Sequence, residues 1–249
     1  ADSTVGKRKI DLDLHFEHGM NDKATRVYKV KEINVYPNFE LGNDSLHTTA
    51  DTVRINGYTY IDNQHNFRPD IITSVINLRP DSIYRRIDEE YTMSHLMGLR
   101  AFKFVHVKFR ERDSTSLKAD IFLTPLLKKS IRAQVQGVSK SNNFVGPGVE
   151  LSFTNRNVLH GAELFQCKLS GAYEVQISRQ QAGALNAIEL GAEASMSVLL
   201  FITPFGIFRY RSAKYVPMTK YKLSYNLQQR LQYFRLVSMN GGYGFLWRE

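Results

Sequence analysis

Side chains able to do chemistry are few and widely spaced in this sequence. Asp11, Asp13, His15 and Glu17 alternate along one segment and offer four groups of metal-ligating type. Alternate residues of a strand lie ~7 Å apart in a row, and such a row does not converge into a compact tetrahedral shell. No second cluster completes it, so the four read as a solvated strand face. His106, between Val105 and Val107, reads as a sheet-face residue rather than a base, and His160, beside Gly161, as a turn residue. Cys167 is the single cysteine, which excludes an intrachain disulfide and a cysteine-based metal motif. It falls on the apolar face of an alternating segment, where a buried, inert thiol is expected. Gly146-Pro147-Gly148 reads as turn punctuation rather than a phosphate cradle. There is no nucleophile elbow, phosphate-binding loop or metalloprotease helix. The expectation is a protein that is not an enzyme, with no catalytic, cofactor-binding or metal residues and no cofactor. Arg132, Gln134, Glu150, Lys168 and Glu174 share a polar face that suits either a wet lumen or the outside of an ordinary sheet.

The elements that would carry these residues fall into two grammars. Residues 9–17 alternate strictly, with Ile10, Leu12, Leu14 and Phe16 on the apolar face, and 19–25 read as a turn or linker. Val27–Val35 is strand-like, but its alternation slips between Val30 and Ile33, as at a bulge. A polar stretch covers 38–51. Asn56-Gly57, between Val53–Ile55 and Tyr58–Tyr60, is a two-residue hairpin signal. Pro69-Asp70 opens a helix with Ile71, Ile72, Val75 and Ile76 on one side, and Pro80-Asp81 interrupts it. A second helix is predicted from about Arg85 to Met97. Its inward residues would be Ile87, Tyr91 and Leu96, its outward ones Asp88, Glu89 and Glu90, and Gly98 its C-cap. Two strands follow, with Val105, Val107 and Phe109, then Leu117, Ala119, Ile121 and Leu123, each on one face. The predicted order is β-α-α-β-β.

From 131 onward the helical period disappears. Six alternating segments recur, around Ile131–Gln136, Val149–Thr154, Phe165–Ile177, Ile188–Val198, Tyr221–Gln228 and Val237–Trp247. Alternation alone fits a soluble sandwich as well as a membrane wall. Two features favour the wall. Some segments run towards the ~9–11 residues that cross a bilayer. The aromatics Phe144, Tyr173, Tyr233, Phe234 and Trp247 sit near segment ends, as interfacial girdles do.

Composition sets the outer bounds. The chain has 249 residues, 43% of them hydrophobic, and a formal charge of +9. A mean hydropathy of −0.33, with no long apolar run, excludes a membrane helix but not barrel strands. The basic residues are scattered and form no nucleic-acid motif, so nucleic acid is not an expected partner. They suit a solvated surface or, on a membrane protein, anionic lipid head groups. The opening ADSTVGKRK has no apolar core of a signal peptide, which implies a cytosolic protein or a mature or trimmed chain.

Two blocks resemble the BamA/TamA family of outer-membrane assembly proteins. DSIYRRIDEEYTMSHLMGLRAFKFVHVKF, 81–109, looks like the second helix and following strand of a POTRA domain, with Tyr84, Leu96, Leu99, Phe102, Val105 and Val107 at its apolar positions. NNFVGPGVELSFTNRNVLHGAELFQCKLSGAYE, with the turn Asn155-Arg156-Asn157 and Gly161, looks like the first barrel hairpins. Pro217–Thr219 through LSYNLQQRLQYFR to Gly244 and Trp247 looks like a later one. The resemblance implies the end of a preceding POTRA domain over 1–20 and an α+β POTRA domain of β-α-α-β-β order over 21–128. Over 129–249 it implies an all-β antiparallel meander, the N-terminal strands of an incomplete transmembrane β-barrel. The family's Arg-Gly-Phe tripeptide and C-terminal aromatic residue are absent, so an internal piece of a longer protein is expected. The implied function is capture of unfolded β-barrel clients by strand addition and their insertion into the Gram-negative outer membrane. The first barrel strand, about Ile131–Lys140, would be a labile edge, and the POTRA part would lie in the periplasm. Implied partners are unfolded outer-membrane clients, outer-membrane lipid and accessory assembly subunits. A polypeptide-exporting pore of the same architecture, and a soluble POTRA-like module fused to a β-sandwich, are the alternatives.

Overall fold

The computed structural model describes residues 26–40, 51–140, 144–176, 186–199, 201–203, 206–208, 216–230 and 233–246. The strand expected at 9–17, and with it the segment 1–20, lies outside the described residues, as do Ile177 and Trp247. In chain order the first part contains β1 (Lys29–Tyr36), β2 (Thr52–Ile55), β3 (Tyr58–Ile61), α1 (Pro69–Ser74), β4 (Ser82–Ile83), α2 (Arg86–Gly98), β5 (Phe102–Asp113) and β6 (Ser116–Pro125). The second contains β7 (Lys129–Ser139), β8 (Phe144–Asn155), β9 (Leu164–Gln176), β10 (Asn186–Val198), β11 (Phe201–Thr203), β12 (Gly206–Phe208), β13 (Met218–Arg230) and β14 (Phe234–Leu246).

The first part is built on a mixed sheet of order β2-β3-β1-β6-β5, with β4 against β1. β1 runs parallel to both β3 and β6, while β5 and β6 form an antiparallel hairpin. The order is therefore fuller than β-α-α-β-β: a hairpin precedes α1 and a two-residue strand separates the helices. The bulge read from the sequence lies between Val30 and Glu32. Asn56 and Gly57 take φ of 50° and 84°, the two positive values that a tight hairpin turn requires.

One sheet face carries Ile33, Val35, Val107, Ala119, Ile121 and Leu123, and it packs with Ile72, Ile76, Leu96 and Leu99 into the core. Each fully buried Ile or Leu contributes roughly 1.5–3 kcal/mol by leaving water. The face of α2 differs from expectation. Asp88, Thr92, His95 and Leu96 are buried, whereas Ile87 is 44% exposed. Asp88 faces inward because Arg85 grips it through Nε at 2.7 Å and Nη2 at 2.9 Å. Thr92 closes the same face, donating its hydroxyl to Asp88 O and accepting from the backbone N–H groups of Asn77 and Leu78. The left-handed residue after α2 is Arg100, φ 55°, and not Gly98. α1 spans six residues only, so Val75 and Ile76 reach the core from the segment beyond it.

The second part is an antiparallel sheet of order β14-β13-β10-β9-β8-β7, with β11 and β12 as a separate hairpin. Its six strands are 11 to 13 residues long. Among the described residues it does not close, and β7 and β14 are its edges. Gly146-Pro147-Gly148 is not a turn. It lies inside β8, opposite Val138, Gly137 and Gln136 of β7. A Cβ at Gly146 would stand 1.9 Å from the Tyr173 carbonyl oxygen, so only glycine lets β8 approach β9 there.

Candidate membrane-facing surface

Register and period two sort the side chains of the second sheet onto two faces. On one, strand pairing aligns Ala133, Leu151, Leu169, Ala192, Tyr225 and Met239 in a row that crosses all six strands. Two residues along, Val135, Val149, Gly171, Leu190, Leu227 and Val237 form the next row. On the other side lies Ile131, Phe153, Cys167, Ala194, Leu223 and Gly241. These eighteen positions contain no ionisable acid or base apart from Cys167 and Tyr225. Among the described residues of these strands, charge enters this face only at its ends, at Lys129 and Arg235.

The opposite face is polar. Its central rows are Gln134, Glu150, Ser170, Gly191, Asn226 and Ser238, then Arg132, Ser152, Lys168, Glu193, Ser224 and Asn240. Lys168 Nζ lies 2.7 Å from Glu150, and Lys222 Nζ 3.0 Å from Glu193. Lys140, just past the end of β7, bridges Glu174 at 2.8 Å and also pairs with Glu189, which accepts from Gln228. Arg132, Gln134, Glu150, Lys168 and Glu174 thus share one face, as their parity predicts.

The apolar face is uncovered. Ile131 is 72% exposed, Val135 79%, Leu169 50%, Leu223 58% and Met239 70%. Six strands ~4.8 Å apart and 11 to 13 residues long, on the order of 40 Å, present roughly 1000 Å² on one side. Soluble monomers rarely show a contiguous apolar patch beyond roughly 300–600 Å². Tilted by ~40°, strands of this length rise roughly 30 Å, enough to cross the ~25 Å apolar band of a membrane barrel. Cys167 lies on this face as expected, but it is half-buried rather than buried.

The aromatics are placed differently from the expected girdles. Phe144 and Phe234 lie on the polar face, where the Arg230 guanidinium stacks 5.0 Å from one ring and 5.3 Å from the other. The aromatic cluster of the apolar face is at the end nearer the first part. Phe153 meets Phe165 edge-on at 6.5 Å, and Tyr243 packs against Tyr221 at 5.4 Å and Phe245 at 5.2 Å. Sequence reasoning missed this row because it depends on register across β8 to β14. Tyr173, 44% exposed, is at the far end of the apolar face, and Tyr233, 66% exposed, is in the turn before β14.

The remaining candidates fall apart as chemistry. His106 is an exposed residue of β5. His160 is in the β8–β9 connection with φ 64°. Among the described residues no three His, Cys, Asp or Glu side chains gather as a metal site, and no helix is long and apolar enough to cross a membrane.

No protein-family model matches the chain, and no curated protein matches it by sequence. Among solved structures it is similar to BamA from Haemophilus ducreyi lacking POTRA domains 1–3, at 8% identity and a TM-score of 0.33, covering 88% of this chain and 59% of that one. CdiB from Acinetobacter baumannii gives 8% identity and 0.35, covering 92% and 60%. CdiB from Escherichia coli gives 10% and 0.33, covering 96% and 59%. The chain therefore spans about three-fifths of the length of these structures. TM-scores this low do not define a shared fold, so any functional reading rests on the rows and edges of the sheet itself.

Proposed function

We propose that this chain is the membrane-proximal part of an outer-membrane β-barrel assembly factor. One observation carries the reading. An apolar face, free of charge in its three central rows, crosses six long strands, back to back with an ion-paired polar face. That partition is what a barrel wall between lipid and a wet lumen requires, since every backbone group in lipid must be paired within the sheet. In this reading β7–β14 are barrel strands in a Gram-negative outer membrane, and β1–β6 with α1 and α2 is a POTRA-type unit in the periplasm.

The mechanism uses backbone hydrogen bonds and no covalent chemistry or cofactor. β5 is, with β2, an edge strand of the first sheet, and an unfolded client could add a strand to it. Lys103, Lys108, Arg110 and Arg112 along β5 keep that edge soluble. β7 is the second edge. Its Gly137 faces Pro147, which has no N–H to donate, and a Cβ built on Gly137 would touch nothing. Weak packing there makes β7 the strand on which a client, held beside lipid, would begin to pair.

A polypeptide-exporting pore of the same architecture is the second reading, favoured by the charged polar face. Reconstituted in liposomes, the complete protein should speed insertion of a urea-unfolded barrel client from outside. Passage of an unfolded chain into the lumen, without insertion, would favour the pore. A monodisperse monomer in detergent-free buffer would remove both.

A further inference from the structure

Between β8 and β9 the chain makes an eight-residue connection, Arg156–Glu163, that is built unlike a solvent turn. Asn157 is 3% exposed, Ala162 4% and Glu163 2%. His160 and Ala162 hold φ of 64° and 58°, a conformation that costs a non-glycine residue energy and persists only when its surroundings fix it. Here the surroundings are internal. Glu163 accepts the backbone N–H groups of Leu159 and Gly161, both at 3.0 Å, and Asn157 Oδ1 accepts from Ala162 at 3.0 Å. A Cβ at Gly161 would lie 2.3 Å from Glu163 Oε1 and 2.7 Å from Arg68 Nη2.

The outward bonds of this loop go to the first part of the molecule. Asn157 Nδ2 donates to Asn66 O at 2.5 Å. His160 Nδ1 approaches the same oxygen at 2.9 Å, and since a carbonyl only accepts, that nitrogen carries the proton. Arg68 N–H donates to His160 O at 2.7 Å, and the Arg68 guanidinium stands 3.6 Å from Glu163. The receiving segment is braced too. Asp62 Oδ1 accepts from Asn38 Nδ2 and Gln64 N, while Asn66 Nδ2 donates to Asn38 and Gln64. At its other end the loop holds the free edge: Arg156 Nη1 donates to Leu127 O at 3.2 Å and to Ser130 Oγ at 3.1 Å, at the start of β7.

We propose that the Arg156–Glu163 connection is a coupling pin that fixes the orientation of the first part on the near end of the second sheet and ties both to the start of β7. Apolar contact also exists at this junction, through Ala162 and through Leu199, Val216 and Met218 packed against the core. Apolar burial is non-directional, however, whereas these hydrogen bonds fix distance and angle. The pin holds whether or not β7–β14 meets lipid, so it stands apart from the assembly reading.

The test measures orientation and folding separately. In the full chain, with Cys167 replaced, spin labels go on Val53 of β2 and Leu236 of β14, both exposed. Asn157→Asp is the sharp variant. It keeps the acceptor for Ala162 N–H, so the loop stays formed, but it removes the donor to Asn66 O. The expected result is loss of the single narrow label-to-label distance in Asn157→Asp and in Glu163→Gln, with unchanged amide protection in β1, β6, β9 and β10. An unchanged distance in both variants overturns the pin, since apolar contacts would then set the orientation. Simultaneous loss of protection in both sheets also overturns it, because the loop would then be part of one core rather than a coupling between two.

Discussion

Substituting Leu169 by Arg places a charge at the centre of the proposed lipid face. β9 runs from Leu164 to Gln176, so Leu169 is one residue from the middle of the strand. It is 50% exposed, between Leu151 and Ala192. No carboxylate lies in its row or in either neighbouring row. At mid-bilayer an arginine on this face costs ~2–4 kcal/mol. Ser170→Arg differs by one residue but points to the polar side, beside Glu150, where it should be tolerated within ~1 kcal/mol. The assay is reversible urea unfolding of the complete protein from lipid vesicles, comparing the two variants. The reasoning predicts a large loss for Leu169→Arg alone, on the order of 30- to 1000-fold in the folding equilibrium. If the face meets water, replacing an exposed Leu by Arg should change stability by no more than ~0.5 kcal/mol. Equal stability of the two variants would refute the assignment.

Two further predictions concern the first sheet. Asp120 is fully buried, accepts from Asn34 Nδ2 at 3.0 Å and pairs with the half-exposed Arg110. Arg110→Ala leaves a buried carboxylate without its cation and, with Arg110 itself half exposed, should cost ~1–3 kcal/mol. Adding Asp120→Asn should recover part of that loss, and strictly additive values in a denaturation cycle would contradict the pairing. Glu32 is held below its ordinary value of 4.5, first by the hydrogen bond from Lys118, against an opposing effect of burial, and then by the charges of Lys118 and Arg112. A lowered folded value means that its stabilisation is present above 4.5 and is lost as pH falls through that lowered value. Glu32→Gln should therefore melt lower than the parent at neutral pH, and the two melting temperatures should converge in acid.

Much of the second sheet was legible because one rule, period two, governs it. Parity alone put Arg132, Glu150 and Lys168 on one face and Leu169, Leu190 and Leu223 on the other, while the register that lines them up across strands was not legible. Helix α2 was misread for the opposite reason. Leu96 faces inward as read, but the rest of the inward face is polar, Asp88, Thr92 and His95, and is satisfied by Arg85 and by backbone groups of the preceding segment that sequence does not reveal. Gly146-Pro147-Gly148 has turn composition, but it serves a close strand approach whose partner, Tyr173, lies 27 residues on in the sequence. The coupling loop showed only Asn157, His160 and Gly161 as turn residues. Its meaning depends on Asn66 and Arg68, some 90 residues earlier, and no local pattern announces that.

The central claim is that one face of the six-stranded sheet β14-β13-β10-β9-β8-β7 meets lipid and the other meets water. Single cysteines at 165, 166, 168, 169 and 170 in the complete protein, with Cys167 replaced, test it in intact outer membranes. A membrane-impermeant thiol reagent should label 166, 168 and 170 and spare 165 and 169. Labelling that ignores parity, or that favours 165 and 169, would contradict the account.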